Sequence, residues 1–439
     1  MRTWLSSLVL VATLAVAAPF GTAPQANASQ DTTNRTDQSH YFGGSYTPSL
    51  ELYSFNLNLN SAIKGGGKGA PPITTIDAIK WAASAGFHAV DITSYYLPGY
   101  NTYTMPTVPT AQIMAYADQI RALTHQLGLA ISGTGVFNDF ADPDAARRAL
   151  DVQRVEFWTD VAARMGAPVM RVFSGKVPAD INTYGWATVT KTRIVPALQQ
   201  VTAYAATRGV KIVLQNHGDM TATADQTIQM LRWVDNPNIS IIDDTGYFRP
   251  FQAPTGLNYD WYRDIAKVLS FSDSIQVKQK PAGEGTAIPM DLDRLFTDMR
   301  LTGYRGFIPL ELLWVASDPG YPKNLPVPPF DQITVFKAQV DAAIAQTRSS
   351  PFNALLSTIR QLAGSGDVTG DVRATLEGLV RNADEHFAAG QTDAAMARMR
   401  DFLARVAAPG GHSHLSSAAA QTLTQRMSAL LTSFTDVFG

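Results

Sequence analysis

Eight times between residue 46 and about residue 313 the chain passes from a short apolar run into a longer stretch with helical periodicity. That alternation is what most limits the folds open to it. The runs are Leu50–Phe55, His88–Ile92, Leu129–Ser132, Pro168–Phe173, Lys211–Gln215, Ile239–Asp243, Ser274–Lys278 and Phe307–Leu313. The stretches between them read as helices; in Ala145–Met165, for example, Leu150, Val155, Trp158 and Val161 fall near one face. Neighbouring strands joined by helices are parallel, because a parallel pair needs a crossover rather than a tight turn. Eight such units fit a closed (β/α)8 barrel better than an open, doubly wound sheet. A proline-rich loop from Pro319 to Pro329 precedes a last helix, Asp331 to about Arg348, whose apolar face (Ile333, Phe336, Val340, Ile344) would close the barrel. Ser349-Ser350-Pro351 then marks a domain boundary, giving a barrel over residues 46–348.

Composition narrows the chemistry. Lys and Arg total 35 against 37 Asp and Glu, a net charge of −2, so no basic excess is available to neutralise phosphates and no nucleic acid is expected as a partner. There is no cysteine, which excludes disulfides, thiolate nucleophiles and Cys-type metal sites. At the start, Arg2 precedes an apolar run from Trp4 to Ala18, and Ala26-Asn27-Ala28 has the small-x-small form of a cleavage site. This reads as a secretory signal peptide over residues 1–28, followed by a polar, disordered lead-in over 29–45. The run is short for a spanning helix, so no stable membrane anchor is expected, and the protein reads as secreted from a bacterium. Gly65-Gly66-Gly67-Lys68-Gly69 lacks the Ser or Thr that follows the Gly-Lys of a phosphate loop, and reads as a flexible loop.

After residue 351 no strand pattern remains. Four apolar stripes follow: Phe352, Leu355, Leu356, Ile359 and Leu362; Leu376, Leu379, Val380, Ala383 and Phe387; Met396, Met399, Phe402, Leu403 and Val406; Leu423, Met427, Leu430, Leu431 and Phe434. They predict a small four-helix bundle over 351–437, with its methionines as core filler rather than a binding surface. This segment resembles the FIMAH domain, a helical accessory module of secreted bacterial proteins, and no titratable constellation in it suggests chemistry.

In a (β/α)8 barrel the reactive groups sit at the C-terminal ends of the strands. Those ends offer Asp91, Arg171, Gln215 with His217, Asp244, Gln276 with Lys278, and Glu311. Members of a pair two residues apart project to the same side of a strand, so both can reach the barrel mouth. Arg171 either holds a substrate oxygen or balances Asp91 or Asp244. Ser132-Gly133-Thr134-Gly135 ends the third strand, where small residues admit a ligand or a neighbouring chain segment. Tyr95, Tyr96, Tyr100 and Tyr103 after strand two, with Tyr247 and Phe248 after strand six, are either stacking surfaces for a ligand or ordinary loop packing. Flanking leucines imply that Glu311 is buried, so it must meet a cation or carry a raised pKa; an ion pair with Lys278 or Arg171 is the structural alternative to a functional site.

Taken in order, several segments carry a family likeness: Gly86-Phe87-His88-Ala89-Val90-Asp91, Tyr95-Tyr96-Leu97-Pro98-Gly99-Tyr100, Ile131-Ser132-Gly133-Thr134-Gly135-Val136, Gly166-Ala167-Pro168-Val169-Met170-Arg171-Val172-Phe173, Gln215-Asn216-His217-Gly218-Asp219, Asp244-Thr245-Gly246 and Pro309-Leu310-Glu311. The chain resembles the sugar phosphate isomerase/epimerase family with a xylose-isomerase-like TIM barrel. The resemblance implies proton abstraction next to a sugar carbonyl: a metal, or a cationic group such as Lys278, polarises the carbonyl and Glu311 takes the proton, with His217 as a ligand contact. Arg171 and Asp91 at the strand ends, with Tyr96 and Tyr247 in the loops, are the candidate substrate contacts. The resemblance also places the family's metal ligands on Gln215, Asp244, Gln276 and Glu311, two of which depart from the usual glutamate and histidine. Such an oxygen-rich set favours Mg²⁺, Mn²⁺ or Ca²⁺ over Zn²⁺ as the divalent metal. Export points to a small-molecule partner that is a non-phosphorylated sugar or glycoside. Two alternatives stay open: a 3-keto-glycoside lyase or hydratase, and a non-catalytic carbohydrate-binding barrel.

Overall fold

The structure is a computed structural model that describes residues 46–64, 70–217, 219–248, 261–279, 289–312, 329–408 and 414–439. The signal peptide, the lead-in, the glycine-rich loop at 65–69 and most of the proline-rich loop lie outside the described residues. Eight parallel strands close into one barrel in chain order: β1 Tyr46–Glu51, β2 Ala89–Thr93, β3 Ala130–Gly135, β4 Val169–Phe173, β5 Lys211–Gln215, β6 Ile239–Asp244, β7 Ser272–Lys278 and β8 Gly306–Glu311. Strand β8 returns to β1 in register, with Leu50 beside Leu310. The first strand begins and ends four residues earlier than the sequence pattern suggests, since Leu52–Phe55 is a 3-10 turn. Pro48 and Ser49 interrupt the apolar signal there, while the 3-10 turn is itself apolar and buried, and the eye is drawn to the wrong segment.

Helices α1 Thr75–Ser84, α2 Thr110–Gln126, α3 Ala145–Met165, α4 Val195–Ala206, α5 Ala224–Val234, α6 Trp261–Leu269, α7 Leu292–Leu301 and α8 Phe330–Gln346 surround the sheet. Their starts are written locally. Thr74 and Asp77 form a reciprocal capping box on α1, and Asp144, Thr223 and Asp291 cap α3, α5 and α7.

Alternation along each strand divides the molecule into two apolar regions. Outward residues such as Met170, Val172, Ile212, Leu214 and Ile241 join the main core beneath the helices. Val169, Val213 and Ile242 form a separate small cluster. Two positions further along the same three strands stand Arg171, Gln215 and Asp244. A dry floor therefore lies directly below a polar ring.

The tail folds as four helices, α9 Pro351–Gly364, α10 Asp371–Ala388, α11 Thr392–Ala407 and α12 Ser417–Phe438. Met396, Met399 and Met427 are buried in its core, as expected of filler. Helix α12 lies against α6 and α7 of the barrel. Arg294 pairs there with Asp436 at 2.6 Å, and Leu301 of α7 belongs to the tail's apolar cluster.

Strand β3 contributes by leaving side chains out. A Cβ on Gly133 would stand 2.7 Å from Asp91 Oδ2, and one on Gly135 would stand 2.6 Å from the Arg171 guanidinium. The glycines make room for two charged neighbours rather than for a turn. Gly135→Ala is expected to push Arg171 off its site and to cost about 1–3 kcal/mol in a denaturant titration, whereas Gly128→Ala, with nothing within 4 Å of its Cβ, changes only local backbone strain.

Asp243 points opposite to Asp244 and is fully buried, with no hydrogen-bond partner for either carboxyl oxygen among the described residues. Burial, reinforced by the charges of Asp244 and Asp264, pushes its pKa well above the usual aspartate value. The folded chain thus keeps a proton that the unfolded chain releases. This contribution to stability is full below the ordinary aspartate pKa and is lost as pH rises toward the folded value. Asp243→Asn should therefore stabilise the protein by about 1 kcal/mol or more at pH 8 and change little at pH 4, read as urea midpoints. An equal shift at both pH values would contradict the assignment.

Candidate active site

The ring above the floor opens into a cavity of about 300 Å³ lined by, among others, Glu51, Arg171, Gln215, Lys278 and Glu311. Its most constrained corner is made by β5 to β8. Lys278 Nζ donates to Glu311 Oε1 at 2.5 Å and lies 3.7 Å from Asp244 Oδ2. Gln215 Nε2 donates to Asp244 Oδ2 at 2.6 Å, and Gln276 Nε2 donates to Glu311 Oε2. Register explains the meeting, since Lys278 is paired with Glu311 across β7 and β8, and Asp244 with Gln276 across β6 and β7. Asn216 locks the β5–β6 edge by exchanging hydrogen bonds with the backbone of Asp244 at 2.7 and 2.9 Å. Thr245 does the same for β7, its hydroxyl accepting from the Lys278 N–H at 2.9 Å.

Burial pushes Asp244 up to about 7 against the opposing pull of Lys278. Burial alone would discharge Lys278, but Asp244 and Glu311 outweigh it and hold the ammonium above the ordinary lysine value. The partner expected of Glu311 is therefore Lys278, a cation supplied by the chain itself.

Arg171 approaches from β4. Nη1 donates to Tyr95 Oη at 3.1 Å and to the Val136 carbonyl at 2.7 Å, and the guanidinium lies 4.3 Å from the Phe173 ring centroid. Among the described residues no carboxylate pairs with it within 4.0 Å; its charge still favours ionised Asp91 through space, as Asp91 and Glu51 favour the guanidinium. It remains available to a ligand oxygen.

Glu51 ends β1 and lines the cavity, a position that the sequence pattern missed. It is register partner to Asp91 on β2, and the two carboxyl groups are hydrogen-bonded. Burial first, then Asp91, pushes Glu51 well above the usual carboxylate range; burial also raises Asp91. Ionised Asp91 opposes ionisation of Glu51, in the same direction as burial. Thr93 Oγ1 and the Tyr53 N–H donate to Glu51 Oε1, and Ser132 Oγ donates to Asp91 Oδ2 at 3.3 Å. The pattern of Glu51 between Leu50 and Leu52 was the signal that would have found it.

The aromatic residues divide. Tyr95 and Tyr53 line the cavity. Tyr247 lies under Lys278 at 4.8 Å and stacks on His217 with ring centroids 4.0 Å apart, so both expected residues reach the site. Tyr96 does not line the cavity; it packs against Tyr53 and Tyr95, and its hydroxyl is buried without a hydrogen-bond partner among the described residues. Tyr100 is buried, and its hydroxyl accepts from the Phe137 N–H at 2.9 Å; Phe248 is core, while Tyr103 is exposed. Asp91 and Asp244 stand behind the cavity wall rather than on it.

The four positions that the resemblance assigns to a metal bear a geometric test. Both amides present nitrogen, not oxygen, to the carboxylates, and an amide nitrogen that is donating has no lone pair to give. Lys278 already stands against both acids. Of the two amide oxygens here, that of Gln215 has no hydrogen-bond partner among the described residues, and it belongs to an amide whose nitrogen faces Asp244. Among the described residues no three His, Asp or Glu side chains converge as a cation site. These side chains do not fit a divalent ion.

Comparison with known proteins bears on the fold. L-ribulose 3-epimerase is 14% identical at a TM-score of 0.50, covering 69% of this chain and 96% of that one. A 3-keto-D-glucoside 4-epimerase from E. coli is 13% identical at 0.48, covering 70% and 100%. A xylose isomerase domain protein from Alicyclobacillus acidocaldarius is 14% identical at 0.49, with the same coverages of 70% and 100%. Among curated proteins no sequence matches. The model of the xylose isomerase-like TIM barrel matches residues 79–326, and that of the FIMAH domain matches 352–432. With more than half its length so matched and its strands closed in the expected order, the chain belongs to the xylose isomerase-like TIM-barrel family and carries a C-terminal FIMAH domain.

Proposed function

We propose that this protein is a sugar isomerase or epimerase-like enzyme that removes a proton from the carbon next to a carbonyl of a non-phosphorylated sugar or glycoside. The observation that carries this reading is the hydrogen-bonded pair of Glu311 and Lys278 on the wall of a cavity. The pair supplies a base and an electrophile side by side. A substrate carbonyl that accepts a hydrogen bond from Lys278 Nζ draws the ammonium away from Glu311, which frees the carboxylate as the carbonyl makes the neighbouring C–H acidic. Glu311 takes that proton, and the negative charge that develops on the substrate oxygen is met by Lys278. Arg171 holds another substrate oxygen from across the barrel, with Tyr95 fixing its guanidinium. Tyr247 and His217 form a stacked platform for a sugar face. No helix among the described residues is long and apolar enough to cross a membrane.

Export is part of the proposal, because a secreted enzyme meets free sugars and glycosides more than sugar phosphates. Expressed in a bacterium, the mature protein should be recovered outside the cytoplasm with a new N-terminus near Ser29; retention of Arg2 in the exported protein would contradict cleavage.

The chemistry is tested in D₂O with a panel of free ketoses, aldoses and 3-keto-glycosides followed by NMR. Solvent deuterium should enter the carbon next to the carbonyl. Glu311→Gln should slow that exchange by about 10²–10⁴-fold while circular dichroism shows a folded chain. Full exchange by Glu311→Gln would mean that Glu311 is not the base. A product lacking a β-substituent would replace isomerisation by elimination from the same intermediate.

A further inference from the structure

The corner formed by β5 to β8 is organised around a cation that belongs to the chain. We propose that Lys278 Nζ is the resident cation and electrophile of this barrel, and that it excludes a divalent metal from the position between Asp244 and Glu311.

Three groups carry the argument. Lys278, Gln215 and Gln276 all turn N–H donors toward the two acids, and together they occupy the oxygen lone pairs that would face an ion. The two amides stand where the family resemblance expects a carboxylate and an imidazole. Each of those groups would present a lone pair inward, and each is replaced here by a group that presents a hydrogen. The substitutions act together. Removing a carboxylate lowers the negative charge available to a dication, and the remaining acids are matched to a single ammonium and two neutral donors. A divalent ion placed between them would displace three hydrogen bonds and stand against Lys278 at contact distance. Two carboxylates would then have to offset the like-charge repulsion, the desolvation of the ion and the three lost hydrogen bonds together. An ammonium held against two acids still brings its charge to the cavity wall, where a substrate oxygen can approach it.

The catalytic half of this proposal rests on the proton-abstraction reading; the exclusion of metal does not. The test uses the full chain, dialysed against EDTA and titrated with Mn²⁺ while the free-ion signal is followed by electron paramagnetic resonance. Thermal melting is measured in parallel with EDTA, Mn²⁺, Mg²⁺ and Ca²⁺. The wild type should bind no stoichiometric Mn²⁺ and should melt at the same temperature throughout. Lys278→Met should bind Mn²⁺ more tightly than wild type. The combined Gln215→Glu, Gln276→His, Lys278→Met chain should bind one ion, with affinity raised about 10–100-fold or more over wild type.

One equivalent of Mn²⁺ on the wild type, lost in an Asp244→Asn chain that circular dichroism shows to be folded, would overturn the proposal. Folded variants that bind no more tightly than wild type would overturn Lys278 as the excluding group. A failure to find any sugar that exchanges deuterium would sink the proposed activity and leave the binding results standing.

Discussion

An ammonium buried between two carboxylates sets the terms for the C-terminal end of this barrel. Lys278, Asp244 and Glu311 are all nearly inaccessible to solvent, and an isolated charge in that setting would be neutralised rather than tolerated. Each is retained because the others are within reach and because Gln215, Gln276 and the Gly246 N–H supply further hydrogen bonds. A buried pair of this kind contributes little net stability compared with apolar packing, yet losing one partner costs about 3–5 kcal/mol. Its presence is thus better explained by chemistry than by folding.

The strands make the arrangement affordable. Alternation places Val169, Val213 and Ile242 as an apolar layer beneath the ring, with the cavity on its other side. Two different solutions to charge burial share this ring. On β6 to β8 opposite charges pair, whereas on β1 and β2 burial and the neighbouring Asp91 both work against ionisation of Glu51. Arg171 stands between these halves, held by the neutral acceptors Tyr95 and Val136. The glycines of β3 allow it, since a side chain at Gly135 would occupy the guanidinium's place.

Much of this was legible in the sequence because it depends on period and position. Strand–helix alternation gave the barrel, and the last residues of β5 to β8 gave Gln215, Asp244, Gln276, Lys278 and Glu311. The stripes of the tail gave its four helices, including the buried methionines. What was not legible follows from physical causes that are not local. Strand β1 was displaced because its inward residues, Ser49 and Glu51, are polar and the apolar turn after it resembles a strand, and with it Glu51 was lost. Tyr96 and Tyr95 are adjacent and chemically identical; only the 3-10 turn at Ser94–Tyr96 decides that one lines the cavity and the other packs behind it. The direction in which an amide turns, nitrogen or oxygen toward an acid, depends on whether a cation is already present. That was visible only once Lys278 was seen against Glu311.

The central claim is that Lys278 is a permanent ammonium, held by Asp244 and Glu311 and available as the site's electrophile. The most direct measurement is the Cε chemical shift of ¹³C-labelled Lys278, assigned by its absence in Lys278→Met and followed across the pH range in which the protein stays folded. The account predicts a shift that remains that of a charged lysine to the alkaline end of the range. A change near neutrality as large as the full step from ammonium to amine, beyond the small perturbation that Asp244 causes as it titrates alongside, would show a neutral amine at working pH and make the assignment of Lys278 as the resident cation wrong.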